Sequence, residues 1–134
     1  MKLMAKVPMK LVAVMLFSVA GCSASSTVSI QVGTFPTFMA VNQTTNRIYV
    51  SNQASNNISV IDGSSNSVIA TTPVGTSPRV VDVNSVTNTV YVANYIDKTV
   101  SVIDGNTNAV TAVITGLSAP YQAAEKLLLI HSQL

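Results

Sequence analysis

One cysteine, one histidine and no tryptophan occur among 134 residues, and only 9% of the residues are charged. Each scarcity closes a door. A single cysteine, Cys22, leaves no disulfide framework, so any fold rests on packing. A single histidine, His131, leaves no histidine cluster for a metal site and, in the off-pattern tail, reads as incidental. The apolar region near the start, Leu11–Ala20, has ten residues, whereas a bilayer-spanning helix needs about 20. The formal charge of +2 arises at the N-terminus. Without the first 21 residues the balance is Arg47, Arg79, Lys98 and Lys126 against Asp62, Asp82, Asp97, Asp104 and Glu125. A net charge of −1 offers no basic patch for phosphates, so no nucleic-acid partner is expected.

What is present begins with a leader. Lys2, Lys6 and Lys10 precede the apolar run, the layout of a secretory signal rather than an anchor helix. The run ends in Val19-Ala20-Gly21-Cys22, which resembles a bacterial lipobox. The resemblance implies residues 1–21 as a lipoprotein signal peptide, cleavage before Cys22, a lipid on that cysteine and anchorage to the membrane. Several acyl chains hold a protein stably where one is marginal. Ser23, rather than Asp, follows the cysteine; in a Gram-negative cell this resembles the class sorted to the outer membrane. Residues 22–26 read as a polar tether.

The rest is a repeat. Val32–Pro73 and Val74–Thr115 align without a gap at a period of 42, with 19 of the 42 positions identical. Each copy offers four runs rich in Val, Ile and Thr, separated by Asn, Gly, Ser and Pro. They are Phe38–Asn42, Arg47–Ser51, Asn57–Asp62 and Ser67–Thr72, then Val80–Asn84, Thr89–Ala93, Thr99–Asp104 and Ala109–Ile114. Hairpin-length gaps between them predict an all-β fold of four-stranded antiparallel meanders, the size of one propeller blade each. Thr27–Val32 reads as a lone outer strand ahead of the first blade. Two blades and one strand cannot close a propeller, whose usual minimum is four, so the architecture is expected to be open.

Tyr49-Val50-Ser51-Asn52 and Tyr91-Val92-Ala93-Asn94, with the Val-Ile-Asp-Gly and Val-Gly-Thr-x-Pro signatures, resemble YVTN-type β-propeller repeats of bacterial envelope and archaeal surface-layer proteins. The resemblance covers residues 27–120, with blades at about 36–73 and 78–115. It implies a first strand lining a central channel and a fourth strand outermost. Most matched residues read as structural. Tyr49 and Tyr91 suit rings that cover a neighbouring blade with the hydroxyl in water. Gly33, Gly75, Pro36 and Pro78 mark the crossing between blades, and Asp62-Gly63 and Asp104-Gly105 mark turns. Residues 121–134 leave the pattern: Lys126 stands where the repeat has Asn42 and Asn84. The chain therefore reads as the N-terminal part of a longer propeller. The alternative is a short protein whose exposed blade faces and edges drive self-association.

The remaining motifs fall short of reactive chemistry. Asp104–Asn108 opens like a calcium loop but has Ala109 where glycine is needed and Thr115 where a bidentate glutamate is needed. Asn42-Gln43-Thr44 and Asn57-Ile58-Ser59 match a glycosylation sequon, at a frequency expected by chance in a chain this rich in Asn, Ser and Thr. The inner strands supply only Asp82. No catalytic residue, metal ligand or cofactor is expected. The expected function is a cell-envelope binding or scaffold module, or else a fragment of a lactonase-like propeller enzyme whose catalytic blades lie elsewhere, or a degenerate product. A protein or small-molecule ligand would meet the loops between second and third strands, where the repeats differ most: Gln53, Ser55 and Asn56 in the first, Tyr95, Asp97 and Lys98 in the second.

Overall fold

The computed structural model describes residues 27–118. Cys22, the leader, the tether, the off-pattern tail and His131 lie outside the described residues. Eight strands follow one another: β1 Pro36–Asn42, β2 Arg47–Asn52, β3 Asn57–Asp62, β4 Ser67–Pro73, β5 Pro78–Asn84, β6 Thr89–Asn94, β7 Thr99–Asp104 and β8 Ala109–Ile114. They make two four-stranded sheets in the orders β1-β2-β3-β4 and β5-β6-β7-β8, antiparallel throughout. These are the two expected blades, and they do not close into a ring. β1 and β5 each start two residues earlier than read from sequence, at Pro36 and Pro78. Proline is tolerated there because the first position of a strand need not donate to the ladder.

The expected N-terminal strand Thr27–Val32 is realised only as a single bridge residue, Gln31. A strand needs a ladder beside it, and no inner strands stand next to this run among the described residues. Its apolar side chains still work: Ile30 and Val32 are buried against Ile48, Val50 and Ile61 of the first blade.

All six hairpins share one device. Each turn has four residues, and the last of them lies at positive φ: Asn46, Asn56, Asn66, Asn88, Lys98 and Asn108, between 51° and 58°. Asparagine visits this left-handed region at lower cost than other non-glycine residues, which explains its recurrence. Gly63 and Gly105 serve differently from a simple turn glycine. Neither has positive φ. A Cβ on Gly63 would lie 2.5 Å from Asn46 Oδ1, and the Gly63 N–H donates to the Asn46 carbonyl at 2.9 Å. These glycines are needed for close approach to the neighbouring hairpin. Gly33 and Gly75 likewise lie under the side chains of Asn52 and Asn94, where a Cβ would sit 2.6 Å away.

The blades stack face to face. Tyr49, Ile58 and Val60 of the first blade, with Ala40 and Ala70, pack on Val81, Val83, Val90, Val92 and Ile103 of the second. Each blade thus presents an incoming face toward the N-terminus and an outgoing face toward the C-terminus, alternate residues of every strand going to each. Polar links run through the joint. Asn42 Nδ2 donates to Asn88 Oδ1 at 2.9 Å, Arg47 to the Gly105 carbonyl at 3.1 Å, and Thr72 to the Asn108 carbonyl at 2.7 Å. Ser51 Oγ donates to the Arg79 carbonyl at 2.9 Å.

Tyr49 departs from the expected wet hydroxyl. The residue is 0% exposed, and its hydroxyl is buried without a partner. Burial raises the phenol above its ordinary pKa, and the nearby charge of Arg47 offsets this in part.

Candidate functional site

The loops after β2 and β6 emerge at the same end of the blades as the crossings 33–35 and 75–77, and hydrogen bonds tie each loop to its crossing. Gln53 N–H donates to the Phe35 carbonyl at 2.9 Å, and Tyr95 N–H to the Ser77 carbonyl at 2.9 Å. Both crossings contain a non-glycine residue at positive φ, Phe35 at 54° and Ser77 at 59°. Phe35 is 56% exposed, so the conformation presents a ring to solvent at a local backbone cost.

The expected loop residues fall into two groups. Ser55, Asn56 and Asp97 hold the loops in place. Ser55 Oγ accepts the Thr34 N–H. Asn56 Oδ1 accepts the Ser77 N–H at 2.9 Å. Asp97 Oδ2 accepts the Thr76 N–H at 2.7 Å. That amide, helped by the Thr76 side chain, holds the Asp97 carboxyl below its ordinary range. Ser55 and Asp97 stand 42 residues apart, so unlike side chains perform the same job. Lys98 takes the left-handed turn position of Asn56, again a backbone role. Gln53 bridges the blades, its Nε2 donating to Ser77 Oγ at 3.0 Å.

Tyr95 belongs to a constellation that sequence reasoning missed. The Arg79 guanidinium lies over its ring, 4.1 Å from the centroid, a cation–π contact that fixes a cation at the mouth of the crossing. Arg79 is exposed, as is Ile96 beside it. The signal was in the alignment of the two repeats. Thr37 becomes Arg79 and Gln53 becomes Tyr95, two changes that flank the Pro78–Asn94 pair, where the register of β5 on β6 is interrupted.

A shallow groove of about 360 Å³ opens beside this end, lined by Pro73, Val74, Gly75, Asp97, Ser101 and Val113 among others. Its walls are mostly apolar, with the hydroxyls of Thr99 and Ser101 and the carboxylate of Asp97 among them. Among the described residues no group of three or more His, Cys, Asp or Glu could hold a metal ion. None of their helices is long and apolar enough to cross a membrane.

The model of the family described as lactonase, 7-bladed β-propeller, matches residues 9–122. The chain belongs to this family. The solved structures agree on the propeller fold. The hydrazine synthase of Kuenenia stuttgartiensis is 18% identical, with a TM-score of 0.58 over 71% of this chain and 26% of its own. Apo AztD from Citrobacter koseri is 19% identical, with a TM-score of 0.62 over 75% of this chain and 28% of its own. A second AztD structure from that organism superposes equally well, at 18% identity and TM-score 0.62. The chain thus spans between a quarter and a third of those proteins. A search of the curated proteins finds no match.

Proposed function

We propose that this member of the lactonase propeller family is part of a YVTN-type cell-envelope lipoprotein, anchored through Cys22, that works as a binding or scaffold module through its loop end. The observation that carries the reading is the Arg79–Tyr95 stack. It puts an oriented cation and a ring on the loop end, among backbone-anchored loops, with no nucleophile–base pair beside it. Such a surface recognises; it does not by itself break bonds. The leader and Val19-Ala20-Gly21-Cys22 support the anchor.

Two measurements test this. Metabolic labelling with a fatty acid should mark the chain, the labelled chain should sediment with the membrane fraction, and Cys22→Ser should abolish both. Retention of label by Cys22→Ser would sink the anchor. Purified chain should leave simple lactones intact; turnover that survives purification would sink the non-catalytic reading. The family match favours a second reading, a lactonase-related enzyme whose reacting groups sit on further blades. That reading expects turnover only from a longer relative containing these repeats.

A further inference from the structure

The crossing between the blades carries one ionised group that its structural duty does not call for. Asp97 Oδ2 accepts the Thr76 N–H at 2.7 Å, and this bond keeps the carboxyl charged by holding it below its ordinary range. At the equivalent place in the first blade, the neutral Ser55 Oγ accepts the Thr34 N–H. A neutral oxygen therefore suffices to clasp a loop to its crossing. Among the described residues no lysine or arginine forms an ion pair with Asp97.

The carboxylate stands in the groove that Val74 and its neighbours form with β7 and β8. That groove is a product of the differences between the repeats. In the first blade the same corner is filled, Val68 packing on the cluster of Ile30, Val32, Ile48, Val50 and Ile61. In the second, the place of Ile30 goes to Thr72, which turns its hydroxyl to the Asn108 carbonyl at 2.7 Å. Val110, the equivalent of Val68, is left 37% exposed, and Val113, which replaces Thr71, is 53% exposed. Asn57 gives way to Thr99, and Ser55 to Asp97. A corner packed shut in one blade becomes an apolar hollow with a negative charge in the next.

The hydroxyls in this hollow have a fixed sense. Asn94 Nδ2 donates to Thr99 Oγ1 at 3.0 Å and to Ser101 Oγ at 2.9 Å. Each oxygen thus accepts from the protein and keeps its own proton for another acceptor. Both lie within 3.0 Å of one nitrogen, so the two donors stand close together. Ser101 is 2% exposed, and a buried donor is costly until an acceptor meets it.

We propose that this groove binds the ammonium end of a small aliphatic molecule with a carbonyl beside its amine, the pattern shared by an apolar amino-acid amide and a peptide N-terminus. The ammonium pairs with Asp97, the carbonyl oxygen accepts from Thr99 and Ser101, and the aliphatic part lies on Val74, Val110 and Val113. The fit is one of charge and of donor sense: an ionised carboxylate selects a cation, and two hydroxyl protons select an acceptor next to it. A volume of about 360 Å³ is at the small end for ligand pockets and suits a single residue. The site uses neither Arg79 nor Tyr95, so it goes beyond the loop-end reading and stands or falls separately from it.

Titration of the isotope-labelled full chain in mild detergent with L-leucinamide, followed by amide NMR, tests this. The resonances of Gly75, Thr99, Ser101 and Val113 should shift saturably, while those of Gly33, Asn57, Ser59 and Thr71 in the first blade stay in place. N-acetyl-leucinamide keeps the carbonyl and the side chain but has no ammonium. It should bind at least about tenfold more weakly, the scale of one charge-assisted contact. Asp97→Ser installs the first blade's residue. It should weaken leucinamide to the same degree and leave the Thr76 amide protected from hydrogen exchange. Should that variant unfold, the acetylated compound still decides. A tripeptide amide beginning with leucine separates the two sources: tighter binding than leucinamide supports the proposal with a peptide as the ligand, and equal or weaker binding supports it with a free amino-acid derivative. Absence of saturable shifts at the groove in millimolar leucinamide would overturn the proposal. So would equal binding of the acetylated compound, or of leucinamide by Asp97→Ser.

Discussion

The two blades share a frame and differ in their surroundings, and the difference separates what a blade needs from what a joint needs. Strand order, turn length, the left-handed residue ending each hairpin and the glycine beneath each buried asparagine recur in both. These features belong to the blade. Burial of the tyrosine and satisfaction of the first-strand asparagine occur only in the first blade, whose outgoing face meets another sheet. These belong to the joint. Residues of identical type at equivalent positions therefore carry different energies.

The sharpest way to break that comparison is to truncate both tyrosines. Tyr49→Ala should cost about 3–5 kcal/mol, the range for removing a large buried ring, while Tyr91→Ala should cost about 1 kcal/mol or less because its ring is only partly covered. Denaturant titration of the two variants measures the gap, and equal losses would mean that the joint adds nothing to Tyr49. The asparagines come next. Asn42→Ala and Asn84→Ala both remove a hairpin clasp, but only the first also breaks a link between blades. Asn42→Ala should be the worse by about 1 kcal/mol, the worth of one net hydrogen bond, in the same titration.

The Tyr49 hydroxyl sharpens the comparison from the other side. It is buried and unpartnered, so Tyr49→Phe should leave stability unchanged or raise it by up to about 1 kcal/mol. The same burial makes the sign of a pH effect definite. An unfolded phenol ionises near pH 10, and in the folded chain burial raises that value. The stabilising difference is therefore complete below the unfolded pKa and is lost as pH rises through the folded one. Thermal melts of the parent should fall off on the alkaline side of about pH 10, and Tyr49→Phe should blunt that fall. The smallest effect concerns the one turn that departs from asparagine. Lys98→Asn should stabilise by about 0.5–1 kcal/mol, because asparagine tolerates the left-handed conformation better than lysine. An increase in melting temperature of a few degrees would register it.

The blade was legible in the sequence because its rules are local and written twice. Alternation gave the strands, and the period of 42 gave their grouping. The predicted ends fell within two residues of the observed ones. What sequence could not convey was whose neighbour each side chain would be. Tyr49 and Tyr91 look alike in the alignment, yet one is sealed and the other is not. Gly63 looked like a turn residue because Asp-Gly marks turns, while the left-handed position went to Asn66 and the glycine answered to Asn46 from another hairpin. In the loops, divergence between the repeats was visible but its meaning was not. Ser55 and Asp97 differ and do one job, whereas Tyr95 differs from Gln53 because Arg79 lies over it. Thr27–Val32 failed as a strand for the same reason: its sequence suits β structure, but pairing is decided by the company it keeps.

The plain meander order of each blade has a consequence for how the molecule is made. Every hydrogen-bonded ladder joins strands that are consecutive in the chain, across four-residue turns. Loop closure for such pairs is cheap and fast. A blade can therefore zip up as soon as its own residues have left the ribosome, without waiting for anything downstream. Among the described strands, the packing of blade on blade is the long-range step, and it joins two surfaces that have already taken shape. Growth is thus by accretion, one rigid unit laid against the last. In that order of events, each outgoing face is the newest surface until the segment that follows it in the chain lies down on it.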